Sequence, residues 1–233
     1  MVDQAGPARL SYRPRRAPAG AAAGPPEGRD TPLGLGGARD GVLYVPEGAE
    51  AGAPVLVFLH GAAGSGRAHL RAVLAAADRY GAVLVAPDSR HPGSWDLIAE
   101  GRVGPDPAFL DRVLAEVVDD PDLGVDPGRL AIGGVSDGAS YALSIGLCNG
   151  DVFPTVLAFS PGFLVAPDRV GLPRVFVSHG TVDAVLPIDA CSRAFVPALE
   201  RAGYDVRYRE FDGGHTVPPP VADAAFRWWL GVT

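Results

Sequence analysis

Three near-continuous apolar runs constrain the fold of this chain more than any other feature: PVLVFL from Pro54, AVLVA from Ala82 and RLAIGGV from Arg129. A run without polar alternation marks a strand buried on both faces, as in a parallel sheet covered by helices. The segments between the runs carry helical spacing instead. Apolar residues recur with it from Arg67 to Tyr80, and Phe109, Leu110, Val113, Leu114 and Val117 share one face of a helix expected over 106–118. Further helices are expected over 138–147, 187–201 and 220–230, and further strands at 8–12, 41–45, 155–159, 174–177 and 206–211. Strands alternating with helices predict an α/β fold: one mostly parallel, doubly wound sheet flanked by helices. Residues 14–37, rich in Pro, Gly, Ala and Arg, lack periodicity and read as a loose connection. The expected organisation is a strand and Pro/Gly-rich connection over 1–40, within the same domain or loosely ordered, and then the main domain over 41–233.

Composition narrows the partners. With 47% hydrophobic residues, the chain of 233 can bury a sizeable core. A net charge of −7 argues against nucleic acid or an anionic membrane as partner. No run approaches the roughly 18 apolar residues that cross a bilayer. No signal peptide is visible, so the expected location is cytoplasmic as written, or extracellular if a leader has been removed. Cys148 and Cys191 have no metal-binding spacing and are expected to be free thiols. No metal or cofactor is expected, and the chain is expected to be a monomer or small homo-oligomer.

In doubly wound sheets, ligands bind beyond the carboxyl ends of the strands. His60, Asp88, Ser136, Ser160, His179 and Asp183 all fall there. Ser136 stands in Gly134-Val135-Ser136-Asp137-Gly138, after a strand and before a helix, a junction that lifts a hydroxyl out of the sheet edge. A serine hydroxyl needs a base to become a nucleophile, and the base needs an acid to orient it. His215, in FDGGHT, follows the last strand; Asp183, in SHGTVD, follows the strand before it. The chain order Ser136, Asp183, His215 suits nucleophile, acid and base. Among rivals, His179 sits too close to its strand end to reach Ser136. Asp189 is expected on the following helix, and Asp212 is close enough to His215 to shape its loop instead.

An oxyanion needs donors. The N–H of Asp137 lies at a helix start, and the small residues of HGAAGSG let the N–H of Ala62 face the same point. His60 is read as a tether of that loop and Ser65 as a helix cap. The carboxylate of Asp137 is expected to turn away from the oxyanion, toward the positive end of its helix.

These segments resemble the α/β-hydrolases of the small carboxylesterase/phospholipase type, near the polyhydroxybutyrate-depolymerase-like and dienelactone-hydrolase-like esterases. The resemblance rests on LHGAAGSG, APDSRHPGSWD, DPGRLAIGGVSDGAS, AFSPGF, HGTVDAVLP and FDGGHTVP, in order, and covers about residues 40–231. It implies an α/β-hydrolase fold and hydrolysis of a small-molecule or polymeric ester through an acyl-serine. The dienelactone hydrolases proper use cysteine as nucleophile, and dehalogenases and epoxide hydrolases use aspartate; this chain has Ser136. Many relatives insert a cap between the sixth and seventh strands of the sheet, for which residues 159–174 are too few, so no large lid is expected. Trp95, in the long loop from Asp88 to Asp106, is expected to wall the substrate cleft. Phe163, Val185 and Leu186 are expected to line its acyl or alcohol side. Tyr141 is expected in the core and Trp228-Trp229 as the anchor of a terminal helix. A polyester depolymerase or feruloyl-type esterase is the alternative; a peptidase or a non-catalytic binding protein is less well supported.

Overall fold

The computed structural model describes residues 8–14 and 29–232. Its centre is an eight-stranded sheet in the order β1-β2-β4-β3-β5-β6-β7-β8. The strands are β1 (Arg29–Pro32), β2 (Gly41–Val45), β3 (Val55–Leu59), β4 (Val83–Pro87), β5 (Leu130–Val135), β6 (Thr155–Phe159), β7 (Arg174–Gly180) and β8 (Val206–Phe211). β2 is antiparallel to both β1 and β4, and every pairing from β4 through β8 is parallel. The helices are α1 (Gly66–Leu70), α2 (Leu74–Tyr80), α3 (Asp96–Ala99), α4 (Asp106–Val118), α5 (Asp137–Cys148), α6 (Ser192–Arg201) and α7 (Pro219–Leu230). This is the α/β-hydrolase fold, and among the described residues no large cap interrupts it.

The three apolar runs are β3, β4 and β5, and every residue in them is buried. Their side chains alternate between two cores. Val55, Val57 and Leu59 point to the core beneath α4 and α5, whereas Leu56 and Phe58 join the one beneath α2 and α7. The apolar face of α4 sits in the first core as its spacing requires.

Four expectations change. The helix expected from Arg67 to Tyr80 is two, α1 and α2, separated by residues 71–73. α6 begins only at Ser192, so Asp189 lies in the turn before it. Residues 8–12 form no strand. They are held by side chains of the helical layer: Asn149 Oδ1 accepts from Leu10 N at 2.8 Å, and Asp111 accepts from Ser11 N and Tyr12 N at 2.9 and 2.8 Å. Within the segment expected to be a loose connection, residues 29–32 are instead the edge strand β1; residues 15–28 of it lie outside the described residues. An edge strand of four residues pairs with one neighbour and shows little periodicity of its own.

Candidate active site

Ser136 links β5 to α5 with φ 59° and ψ −121°, a backbone that a side chain rarely adopts. The flanking glycines make it possible by close approach. A Cβ on Gly134 would lie 2.6 Å from Leu59 O, and one on Gly138 would lie 2.1 Å from the same atom. No side chain fits either position. Ser136 N donates to Phe159 O at 2.9 Å, which ties the turn to β6. The Ser136 side chain makes no capping bond to α5, so the hydroxyl is not an ordinary helix cap.

The aspartate and histidine expected on the last two strand ends meet. His215 Nδ1–H donates to Asp183 Oδ2 at 2.7 Å. The other carboxylate oxygen accepts from Val185 N and Leu186 N, both at 2.9 Å. Burial pushes the Asp183 pKa up, but the N–H of Leu186, His215 and the N–H of Val185 outweigh it, and the net displacement is downward. Asp183 is therefore a carboxylate beside His215. The loop of His215 packs so closely on β7 that a Cβ on Gly180 would lie 2.3 Å from both Gly213 O and Gly214 O.

His179 is fully buried. Its Nε2–H donates to Leu186 O at 2.8 Å and lies 3.3 Å from Asp183 Oδ2, while Ser192 Oγ sits 2.7 Å from Nδ1. It braces the turn that carries Asp183 and does not line the cavity that holds Ser136 and His215.

Ser136 and His215 line one cavity of about 420 Å³ with Gly61, Ala62, His69 and Val185. Ala62 N makes no hydrogen bond among the described residues. Asp137 N is the first helical N–H of α5 and has no intrahelical acceptor. The turn that carries Ala62 is fixed from several sides. Ala63 N donates to Gly93 O at 2.7 Å, and Arg39 Nη2 donates to Gly64 O at 2.8 Å. His60 Nδ1–H donates to Gly61 O at 2.7 Å, and its Nε2 accepts from Ser89 N at 3.0 Å. Burial pushes the His60 pKa down, which suits a neutral ring used as a tether. Ser65 caps α1, its Oγ accepting from Ala68 N at 3.3 Å. The Asp137 carboxylate turns to the loop after β4, where Ser94 Oγ donates to it at 2.6 Å. Its partner is thus a hydroxyl and not the helix's own N–H groups.

The expected pocket residues divide. Val185 lines the cavity and is 65% exposed. Phe163 and Leu186 are only partly buried but lie outside the cavity lining; Leu186 packs instead over Gly162, where a Cβ would meet it at 3.1 Å. Trp95 is not a cleft wall. It is 0% exposed, stacks on Tyr141 at 5.1 Å between ring centroids, and donates from Nε1 to His60 O at 2.8 Å. Two buried carboxylates hold its loop in place. Asp106 accepts from Arg90 N and Asp96 N, and Asp96 from Gly104 N and Asp106 N. Burial raises Asp106 to a pKa of about 6.

Arg39 and His69 are the residues that sequence reading missed. Arg39 lies just beyond the Pro/Gly-rich segment, with no motif around it. His69 precedes Ser136 in the chain, whereas the order of nucleophile, acid and base draws attention to histidines after it; the only local signal is its place four residues after the capping Ser65.

Both cysteines are buried free thiols. Among the described residues, no group of three or more His, Cys, Asp or Glu side chains is placed to hold a metal ion, and no helix is long and apolar enough to cross a membrane.

No protein-family model matches the sequence, and no curated protein does. Solved structures do. A crystal structure of esterase PE8 is 26% identical with a TM-score of 0.68, over 84% of this chain and 99% of that one. A carboxylesterase from Mesorhizobium loti is 22% identical with a TM-score of 0.66, over 88% of this chain and 100% of its own. An S-formylglutathione hydrolase from Staphylococcus aureus is 15% identical with a TM-score of 0.69, over 89% and 99%. The last two show the shared fold.

Proposed function

We infer that this chain, an α/β-hydrolase of the esterase type, is a carboxylic-ester hydrolase that works through an acyl-serine intermediate. The observation that carries this reading is the 2.7 Å bond from His215 to Asp183 in a loop that lines the same cavity as Ser136. The Asp183 carboxylate holds the proton on Nδ1 of His215, which leaves Nε2 as the base. Nε2 takes the proton of Ser136 Oγ as that oxygen attacks the ester carbonyl carbon. The carbonyl oxygen becomes an oxyanion, held by the N–H groups of Ala62 and Asp137. The tetrahedral intermediate collapses, the C–O bond breaks, and His215 gives its proton to the departing alcohol. Water then attacks the acyl-serine by the same route and restores Ser136.

The substrate class is short-to-medium acyl or aryl esters. The 420 Å³ cavity accommodates small acyl or aryl groups, and the connection from β6 to β7 holds no helix or strand to close over it. A polymer chain is the second reading, favoured by the same open rim and by the exposed Val182 and Val185 beside Asp183.

The test is hydrolysis of p-nitrophenyl esters of increasing chain length by the wild type and by Ser136→Ala. A loss of at least about 10³-fold in kcat for the variant is expected. Equal activity in the two proteins refutes the mechanism. Release of soluble product from a polyester film selects the polymer reading.

A further inference from the structure

One histidine in the cavity has no part in the acyl-serine steps. His69, on α1, is half-buried and lines the space shared by Ser136 and His215. The turn of Gly61 to Gly64 wraps its ring. A Cβ on Gly64 would lie 2.4 Å from His69 Cε1, so only glycine leaves room for the imidazole there. A Cβ on Gly61 would lie 3.3 Å from His69 Nε2 and 3.4 Å from Ser136 Cβ. Nε2 is thus separated from the nucleophilic residue by a single glycine edge.

The ring's other nitrogen sets its chemistry. Nδ1 lies 3.4 Å from Ser65 O, a carbonyl that can only accept. Nδ1 therefore bears the hydrogen in the neutral ring, and Nε2 presents a lone pair. Nε2 has no partner among the described residues. The remaining side chains of the cavity, apart from Ser136 and His215, are those of Ala62, Ala68, Ala72, Val135, Val185 and Val217. His69 is the one polar side chain there that is not already committed to the reaction. Few polar groups in an apolar pocket are what select one ligand over another. An ester group has only acceptor oxygens, so it cannot pair with this lone pair. A group that can is a hydroxyl carried by the ester substrate.

We propose that His69 is a substrate-positioning residue that selects esters carrying a hydroxyl close to the ester group, accepting that hydroxyl's hydrogen at Nε2. This rests on the acyl-serine reading of the same cleft. The hydroxyl can stand on the acyl side, as in a hydroxyacyl ester, or on the alcohol side, as in a glycerol ester; the chemistry recognised is the same.

Two substrate pairs separate these sources: p-nitrophenyl 3-hydroxybutyrate against p-nitrophenyl butyrate, and glycerol 1-monobutyrate against n-propyl butyrate. In the wild type, kcat/KM for the hydroxylated member of one pair should exceed that of the plain member by about tenfold, the effect of one hydrogen bond at the upper end of the usual range. His69→Leu should abolish the preference, lowering kcat/KM for the hydroxylated member by about tenfold more than for the plain member. His69→Gln, whose amide oxygen can still accept, should keep part of the preference. No preference in either wild-type pair overturns the proposal. So does an equal loss on both members in His69→Leu, which is the signature of a merely structural ring. Failure of the acyl-serine reading looks different: a fluorophosphonate then leaves Ser136 unlabelled and the plain esters intact. If His69 alone is misread, labelling and plain-ester hydrolysis persist.

Discussion

Replacing Trp95 by phenylalanine separates a core residue from a cleft wall. The indole is wholly buried between His60 and Tyr141, and its Nε1–H bonds to His60 O at 2.8 Å. A buried tryptophan removes on the order of 200 Å² from water, worth about 5 kcal/mol at ~25 cal/mol per Å². Phenylalanine keeps most of that area and the stacking on Tyr141 but leaves His60 O without its donor, an expected cost of about 1–3 kcal/mol. Alanine also opens a cavity and should cost about 3–5 kcal/mol. Against a total stability of roughly 5–15 kcal/mol, the phenylalanine variant folds and the alanine variant approaches the limit. Urea unfolding followed by far-ultraviolet circular dichroism measures both, since the signal does not depend on the indole. The folded phenylalanine variant should hydrolyse p-nitrophenyl butyrate with KM within about twofold of wild type, because no atom of Trp95 reaches the cavity. Unchanged stability with a KM raised about tenfold would refute the reasoning and return Trp95 to the cleft.

Three other substitutions probe the site. Ser136→Gly should abolish ester hydrolysis yet raise stability by about 1 kcal/mol, since glycine releases the strain of φ 59° but gains freedom when unfolded; a lower melting temperature than wild type would show that the turn is not strained. Asp137→Asn should keep kcat within about threefold and cost about 0.3–1 kcal/mol by removing a negative charge from the start of α5; a rise in rate beyond tenfold would mean that the carboxylate faces the oxyanion after all. Asp106→Asn should gain stability relative to wild type as pH rises from about 4 to about 6. The Asp106 carboxyl titrates near 6 when folded against 3.8 as its ordinary value, so the folded state holds the extra proton in this window and wild-type stability falls as pH rises. The full difference is up to about 3 kcal/mol, and a flat difference between the two unfolding free energies across that window would count against a buried, proton-holding Asp106.

The parts of the fold and site that were legible in sequence are those fixed by local order. β3, β4 and β5 declared themselves because burial on both faces leaves no polar alternation. That Ser136, Asp183 and His215 lie near one another was legible because each sits at a strand end, and in a parallel sheet all such ends lie on one side. What escaped depends on distances between segments far apart in the chain. Trp95 carries the composition of a pocket wall, a large aromatic ring in a long loop. Its burial follows from Tyr141 on α5 and from Asp96 and Asp106, which clamp the loop through backbone N–H groups that no pattern of side chains reveals. The break between α1 and α2 was hidden because the apolar spacing continues across it.

His69 belongs to the same class of omission, and it shows why a cleft is harder to read than its catalytic groups. A catalytic base is defined by its relation to a nucleophile, so chain order and strand ends narrow the choice. A residue that selects substrate is defined only by facing the space the substrate fills. His69 reaches that space because Gly61 and Gly64 have no side chains where its ring lies, and the same glycines form the turn that presents Ala62. The small residues of HGAAGSG leave room for an imidazole and, in the proposed mechanism, let a backbone N–H approach the reacting carbonyl beside it. Enlarging Gly64 to alanine should therefore displace the ring and the turn together, lowering kcat on plain and hydroxylated esters alike, whereas changes at His69 itself act on the choice between them.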